Sequence, residues 1–172
     1  MGLRGRFHAG NPTEVLVSSS SYDTVLVGTD GSSSSFRAVD RAALVARDAG
    51  ATLLLLTAYH PMSQREIQDA QRALGGEAYK VSGSAPAEEV LRDAEDRARK
   101  IGATKVERLA IEGDPVEVLA RTTIERKVDL LVVGNRGLNT LTGRLLGSVP
   151  ANITHKAACD VLIVHTTGKG LK

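Results

Sequence analysis

The 172-residue sequence has a single cysteine, no tryptophan and only 3% aromatic residues. A lone thiol, Cys159, excludes an intramolecular disulfide and is typical of proteins from a reducing compartment. The longest apolar runs, such as Leu53–Leu56, fall far short of the ~18 residues that indicate a membrane span. No apolar signal-peptide segment follows Arg4 and Arg6. We therefore expect a cytoplasmic protein without a membrane partner, with a core of Val, Leu, Ile and Ala, as in parallel α/β sheets.

A strong excess of charge of one sign is also missing. The chain has 22 basic and 20 acidic residues, which gives a net charge of +2 and no electrostatic reason to expect a nucleic-acid partner. Its length is typical of one domain. Composition predicts a flexible N-terminal arm over 1–21, a domain over 22–167 and a loose C-terminal tail over 168–172. The long polar connection over 59–84 has no role that the sequence reveals.

Short apolar runs alternate with helical patterns along the domain. The runs at 24–29, 51–58, 106–111, 129–133 and 160–164 predict strands. Helices are predicted to begin near Ser32, Ser84, Asp114 and Ser148, and the last of them to run to about Ala157. This alternation favours βαβ units and a three-layer, doubly wound, Rossmann-like α/β fold with five parallel strands.

Two details of the helices are predicted from spacing. The third helix is expected to bury Val116, Leu119, Ala120 and Ile124 on one face. The outer face of the second helix carries acid–base pairs at i,i+4, among them Asp93 with Arg97 and Glu95 with Arg99. These pairs indicate a solvated helix face rather than an interaction surface.

Ligands of open parallel sheets bind beyond the carboxyl ends of the strands, where the strand order reverses. The first predicted strand ends in Gly28-Thr29-Asp30-Gly31-Ser32, and the fourth in Val133-Gly134-Asn135-Arg136-Gly137. If these strands are neighbours, both loops face one crevice.

The loop after the fourth strand has the spacing Gly134-x2-Gly137-x9-Gly147-Ser148. Gly134 and Gly137 allow a ligand to approach the backbone closely. Gly147 and Ser148 are expected to place free N–H groups at a helix N-terminus, which favours a phosphate, and Arg144 adds positive charge. The glycines alone are equally compatible with a loop that only shapes a turn and caps a helix.

This spacing resembles the nucleotide-binding signature of the universal stress protein family. The resemblance spans about 22–167 and includes further segments: Val27–Ser32, Ala38–Ala43, Asp129–Gly134, Leu145–Ile153 and Asp160–His165. It implies the strand order 3-2-1-4-5 and a homodimer through the fifth, edge strand, with Val161, Leu162, Ile163 and Val164 at the interface.

The same resemblance implies where an adenine nucleotide would lie. Asp30 and Ala58 are expected to contact the nucleoside end, with Thr29 and Gly31 beside them. The ribose–phosphate end falls to Gly134, Gly137, Gly147, Ser148 and Val149, with Val133, Asn135 and Arg144 beside them. No catalytic residue and no metal ligand is expected.

The stretches Gly137–Asn152 and Tyr79–Pro86 are similar to an actinobacterial subgroup of the family that binds cyclic AMP, and ATP more weakly. The charge of the loop also favours cyclic AMP over ATP. Cyclic AMP carries one negative charge and needs no metal, whereas ATP carries about four and usually recruits Mg²⁺. Two arginines and no lysine in the loop favour the smaller anion.

Three functions stay open. The first is a cyclic AMP or ATP binding module that signals or sequesters its ligand. The second is an ATP-binding protein with slow ATPase activity, although the chain has no Gly-x4-Gly-Lys-Ser/Thr loop and no nucleophile paired with a base. The third is an interaction scaffold that keeps the loop without using it. We expect a binding protein rather than an enzyme.

Overall fold

The computed structural model describes residues 22–60, 65, 68–69, 72, 84–136 and 147–166. The predicted N-terminal arm, the C-terminal tail, most of the 59–84 connection, and Gly137 and Arg144 of the predicted site lie outside these residues. No helix within the described ranges is long and apolar enough to cross a membrane.

Five strands of the described ranges form one parallel sheet in the order β3-β2-β1-β4-β5. The strands are β1 (Thr24–Gly28), β2 (Thr52–Tyr59), β3 (Val106–Glu112), β4 (Leu130–Gly134) and β5 (Asp160–Val164). The helices between them are α1 (Ser33–Ala49), α2 (Ala85–Ile101), α3 (Pro115–Glu125) and α4 (Ser148–Ile153). The predicted three-layer fold and its strand order are confirmed.

The sheet separates two apolar clusters because successive strand residues point to opposite faces. On one face Val25, Val27 and Leu55 pack against the alanines of α1 and against Leu91 of α2. On the other face Leu26 packs among residues of α3 and α4, including Leu119. Apolar residues fill both faces of the central strands, as expected for a sheet covered on both sides.

Among the described residues, helices α1 and α3 begin with a side-chain cap, whereas α2 and α4 have no side-chain cap hydrogen bond. Ser32 Oγ accepts the N–H of Ser35 at 3.1 Å at the start of α1. Asp114 Oδ1 accepts the N–H groups of Val116 at 2.9 Å and Glu117 at 3.2 Å at the start of α3. These side chains satisfy amides that have no partner within the first turn of a helix.

The predicted buried stripe of α3 was wrong at Ile124, whose exposed fraction is 66%. The buried stripe runs instead through Val118, Leu119, Thr122 and Thr123. The two threonines tolerate burial because their hydroxyls donate to the carbonyls of Val118 at 2.8 Å and Ala120 at 2.7 Å. Leu119 and Ala120 of the predicted stripe are buried and Val116 is half-buried, so apolar spacing was wrong only at Ile124.

Helix α4 is also shorter than predicted, since it ends at Ile153 rather than near Ala157. The amides of His155 and Lys156 bond to the carbonyls three residues earlier, which tightens the chain into turns. The chain must reverse there because β5 already begins at Asp160.

Arg97 of α2 bonds to Asp40 of α1 and so contributes to the packing of the two helices, in addition to lying on a solvated face. Its Nη2 lies 2.6 Å from Asp40 Oδ2 and its Nε 3.0 Å from Asp40 Oδ1. Its guanidinium carbon lies 5.2 Å from the centroid of the Phe36 ring. The expected i,i+4 pair of Glu95 and Arg99 is present at 2.7 Å, whereas Arg97 reaches across to the neighbouring helix.

Candidate functional site

Strands β1 and β4 are hydrogen-bonded neighbours, with Val27 in register with Val132. Both run in the same direction, so the segments that follow them leave the sheet at the same edge, here called the carboxyl edge. The chain crosses from β1 to β2 on one side and reaches β4 on the other, which makes this pair the point of strand-order reversal. The described beginnings of the two predicted loops therefore leave the sheet from neighbouring strands, which is the condition for a shared crevice.

Thr29 follows β1 and is held by a buried network. Its amide donates to Leu56 O at 2.9 Å, and its carbonyl accepts Thr57 Oγ1 at 3.0 Å. Its hydroxyl lies 2.9 Å from Ser35 Oγ. Thr29, Ser35 and Thr57 are all buried. This network fixes the backbone direction at the mouth of the crevice.

Asp30 and Gly31 form the turn into α1. Asp30 Oδ1 accepts the amide of Ser32 at 3.0 Å and its hydroxyl at 2.6 Å, so the carboxylate is held at the head of the helix. Gly31 has φ +79°, and a β-carbon there would lie 2.8 Å from Val90 Cγ2 of α2. Both backbone and packing therefore demand glycine at this position.

Ala58 lies at the rim of the same crevice. Gly28, the last residue of β1, is in register with Leu56, so Ala58 lies two residues beyond the end of β1. Its side chain is half-buried against the cluster on the α3 face. The small side chain leaves room beside the end of β1.

Val133 and Gly134 end β4. Val133 is 3% exposed and points into the core, so only its backbone lies at the carboxyl edge. A β-carbon on Gly134 would lie 3.2 Å from Arg136 O and 3.3 Å from Thr166 Cγ2. The chain's own close packing thus favours glycine there, a reason independent of any ligand.

Asn135 joins three segments. Its amide donates to Val164 O at 2.9 Å, and its carbonyl accepts the amide of Gly147 at 2.9 Å. Its Oδ1 accepts the amide of Thr166 at 2.7 Å and the hydroxyl of Thr166 at 2.6 Å. The predicted ligand residue Asn135 therefore fastens the ends of β5 and of the loop to β4.

The head of α4 differs from expectation at Gly147, whose N–H was expected to be free and instead donates to Asn135. Ser148 is exposed and Val149 half-buried. These two residues are the first of α4. Their amides therefore have no acceptor carbonyl within the helix. Of the backbone amides predicted to bind an anion at this helix, only those of Ser148 and Val149 remain candidates.

Sequence reasoning missed several hydroxyl groups at the carboxyl edge: Ser34, Ser35, Thr57 and Thr166. Ser34 Oγ donates to Arg136 O at 3.0 Å and contacts Thr166 Oγ1. Arg37 Nη1 donates to Thr166 O at 2.9 Å. The sequence predicted only a helix start near Ser32, and nothing local in it signals Thr166.

Within the described ranges, no three His, Cys, Asp or Glu side chains come together in a way that could hold a metal ion.

Cys159 lies at the opposite edge of the sheet, directly before β5, and is half-buried. Burial is the main cause that raises the pKa of its thiol; the carboxylates of Asp160 and Asp129 raise it further, and a hydrogen bond with the Leu131 backbone lowers it. Because the thiolate is the reactive form, a raised pKa reduces the reactive fraction near neutral pH.

We therefore expect the pH profile of Cys159 alkylation by iodoacetamide to have a higher midpoint in the folded protein than in the same chain unfolded in urea. The midpoint, rather than the absolute rate, separates the pKa from simple access. An equal or lower midpoint in the folded protein would instead make Cys159 a candidate redox-sensing thiol.

The sheet order and the crevice between β1 and β4 define a doubly wound, Rossmann-like α/β protein with its candidate site at the carboxyl edge. The sequence profile described as "Universal stress protein family" matches residues 21–165. Universal stress protein Rv1636 of Mycobacterium tuberculosis H37Rv is 56% identical over 148 residues, which cover 86% of this chain and 99% of that protein. The chain belongs to the universal stress protein family.

Solved structures agree with this assignment. A universal stress protein in complex with cAMP is 47% identical and matches with a TM-score of 0.67 over 86% of this chain and 100% of that chain. Universal stress protein UspA from Lactobacillus plantarum, 21% identical, matches with a TM-score of 0.67 over 83% of this chain and 97% of that chain. The second likeness supports the fold alone.

Proposed function

We propose that this protein binds cyclic AMP, and ATP more weakly, in the crevice between the ends of β1 and β4. The observation that carries the proposal is the relative in complex with cAMP, which is 47% identical and matches over its full length. The topology supports it, since the segments with Asp30 and Gly134 follow or end two neighbouring parallel strands at the point where the strand order reverses.

The proposed assignment divides the crevice between two ends of the nucleotide. Asp30 and Ala58 contact the nucleoside, because the held carboxylate offers an acceptor and the small Ala58 leaves space. The amides of Ser148 and Val149 contact the phosphate, together with the glycines of the loop. Arg144 and Gly137 belong to this assignment through the family resemblance.

The proposed role is a cytoplasmic binding module that signals or sequesters its ligand rather than an enzyme. The second candidate, an ATP-binding protein with slow ATPase activity, is favoured only by the family resemblance. Mg²⁺ enters only in that second case, because a triphosphate needs charge neutralisation that a cyclic monophosphate does not.

We further propose a homodimer that forms along β5. In the described sheet β5 pairs with β4 on one side and is the edge strand on the other. Val161, Leu162, Ile163 and Val164 are only half-buried in the single chain. A second copy along this edge would cover them and protect an exposed strand edge.

Isothermal titration calorimetry with cyclic AMP and with ATP, each with and without Mg²⁺, tests the proposed function. We expect metal-independent binding of cyclic AMP, weaker binding of ATP, and no steady release of phosphate from ATP. Sustained phosphate release would favour the ATPase. Absence of binding to either nucleotide would contradict the proposal and favour a scaffold.

A further inference from the structure

We infer that Thr166, together with Asn135 and Ser34, forms a clasp that holds the end of β4 against the head of α4, and that the affinity for nucleotide depends on the Thr166 hydroxyl. The effect on affinity rests on the proposed function. The clasp itself is a property of the free protein.

Thr166 lies two residues beyond the end of β5 and is 6% exposed. Its amide and hydroxyl both donate to Asn135 Oδ1, at 2.7 Å and 2.6 Å. The same hydroxyl contacts Ser34 Oγ, which donates to Arg136 O at 3.0 Å. One buried hydroxyl thus joins the first turn of α1 to the beginning of the loop.

The clasp acts on both ends of the loop. Asn135 and Arg136 are the residues at which the loop leaves β4, and Asn135 O accepts the amide of Gly147, where the loop rejoins the described structure. If Asn135 shifts, the acceptor of the Gly147 amide shifts with it. The orientation of Gly147 in turn sets the direction of the first amides of α4, which follow directly.

Thr166 is also fixed from outside the clasp. Its carbonyl oxygen accepts a hydrogen bond from Arg37 Nη1 at 2.9 Å. Its methyl carbon packs closely against Gly134, where an added β-carbon would lie 3.3 Å from it. Its hydroxyl therefore has little freedom to find another partner. Removing it deletes one of the two hydrogen bonds to Asn135 Oδ1 and the contact with Ser34 Oγ, so that, among the described residues, the Thr166 amide alone holds the Asn135 side chain.

The clasp predicts a population effect on binding. When the end of β4 and the head of α4 hold their binding-competent arrangement only part of the time, the apparent dissociation constant equals the intrinsic one divided by the competent fraction. We expect Thr166→Val, which keeps the shape and removes the hydroxyl, to weaken cyclic AMP binding about tenfold by calorimetry. Thr166→Ser, which keeps the hydroxyl, is expected to restore most of the affinity.

Thr122→Val is the matched control. Thr122 is 2% exposed, and its hydroxyl donates to Val118 O at 2.8 Å within α3. The variant loses an equally buried threonine hydroxyl that takes no part in the clasp. It is expected to lower the midpoint of thermal unfolding and to leave the affinity for cyclic AMP unchanged.

A second measurement needs no ligand. Amide hydrogen exchange of Gly147 in the nucleotide-free protein is expected to be about tenfold faster in Thr166→Val than in wild type, since its acceptor is less well held. The rate in Thr122→Val is expected to match wild type. If Thr166→Val does not fold, Ser34→Ala removes another arm of the clasp and is expected to speed the same exchange.

Wild-type affinity and wild-type Gly147 exchange in Thr166→Val would overturn the clasp while leaving the proposed function intact. Equal weakening of binding in the Thr166 and Thr122 valine variants would also overturn it, because the effect would then be one of general stability. A wild-type protein that binds no adenine nucleotide would refute the proposed function, and the exchange rates would still decide whether Thr166 holds the loop ends.

Discussion

Gly134→Val is expected to weaken cyclic AMP binding by about 100-fold or more, a loss of about 2.7 kcal/mol in binding free energy. The first added carbon would lie 3.2 Å from Arg136 O and 3.3 Å from Thr166 Cγ2, and Ser34 O is only 3.7 Å away. Two of these neighbours are backbone atoms that cannot rotate aside. The valine methyl groups extend further into the same space, so the end of β4 must move and take the proposed phosphate loop with it.

Calorimetric titration of cyclic AMP into Gly134→Ala and Gly134→Val measures this effect as a series. The alanine variant, which adds only the first carbon, is expected to lose about tenfold in affinity. A valine variant that binds within threefold of wild type would show that the end of β4 does not set the site.

Gly50→Ala controls for a general loss of stability. Gly50 caps α1 with φ +65° at the opposite edge of the sheet, and a β-carbon there would meet no atom within 4 Å. The left-handed backbone makes alanine cost about 1 kcal/mol of folding free energy. Its affinity for cyclic AMP is expected to equal that of wild type.

Leu26→Ala is expected to lower the free energy of unfolding by about 3–5 kcal/mol. Leu26 is fully buried in the central strand, in register with Leu54 on β2 and Leu131 on β4. All three leucines belong to the cluster on the α3 face, and the rigid sheet around them cannot collapse into the space left behind. Urea unfolding measures the loss, and the thermal midpoint is expected to fall by roughly 6–20 °C.

Ile124→Ala provides the contrast, since it removes a similar aliphatic side chain that is 66% exposed. Its free energy of unfolding is expected to stay within about 0.5 kcal/mol of wild type. A cost comparable to that of Leu26→Ala would mean that Ile124 is covered in solution and that the observed burial stripe of α3 is incomplete.

The strands were predictable because their apolar patterns are clear in the sequence. The runs that became β1, β2, β4 and β5 are short, apolar and bounded by turn residues, and the family resemblance supplied the order. Apolar spacing predicted only part of the buried face of α3, namely Leu119 and Ala120. Thr122 and Thr123 count as polar in a pattern, yet each satisfies its hydroxyl on its own helix and can therefore lie inside.

The candidate site was predictable where it depends on local chemistry. Asp30 and Gly31 lie in a turn with typical turn residues, Gly134 ends an apolar strand, and the strands β1 and β4 that precede or contain them are neighbours. Thr166 and Ser34 were not predictable, because their contact joins residues 132 positions apart. The engagement of the Gly147 amide was hidden for the same reason, since its acceptor follows another strand.

The sheet that divides the two apolar clusters also divides the effects of mutation. Side chains such as Leu91 and Leu26 belong to different clusters and are separated by a layer of hydrogen-bonded backbone. Substitutions that share no partners and lie well apart add in their effects on stability. Core residues that pack against α1 and α2 can therefore be substituted without compensating substitutions beneath α3 and α4. Each half of the interior can vary in sequence independently of the other.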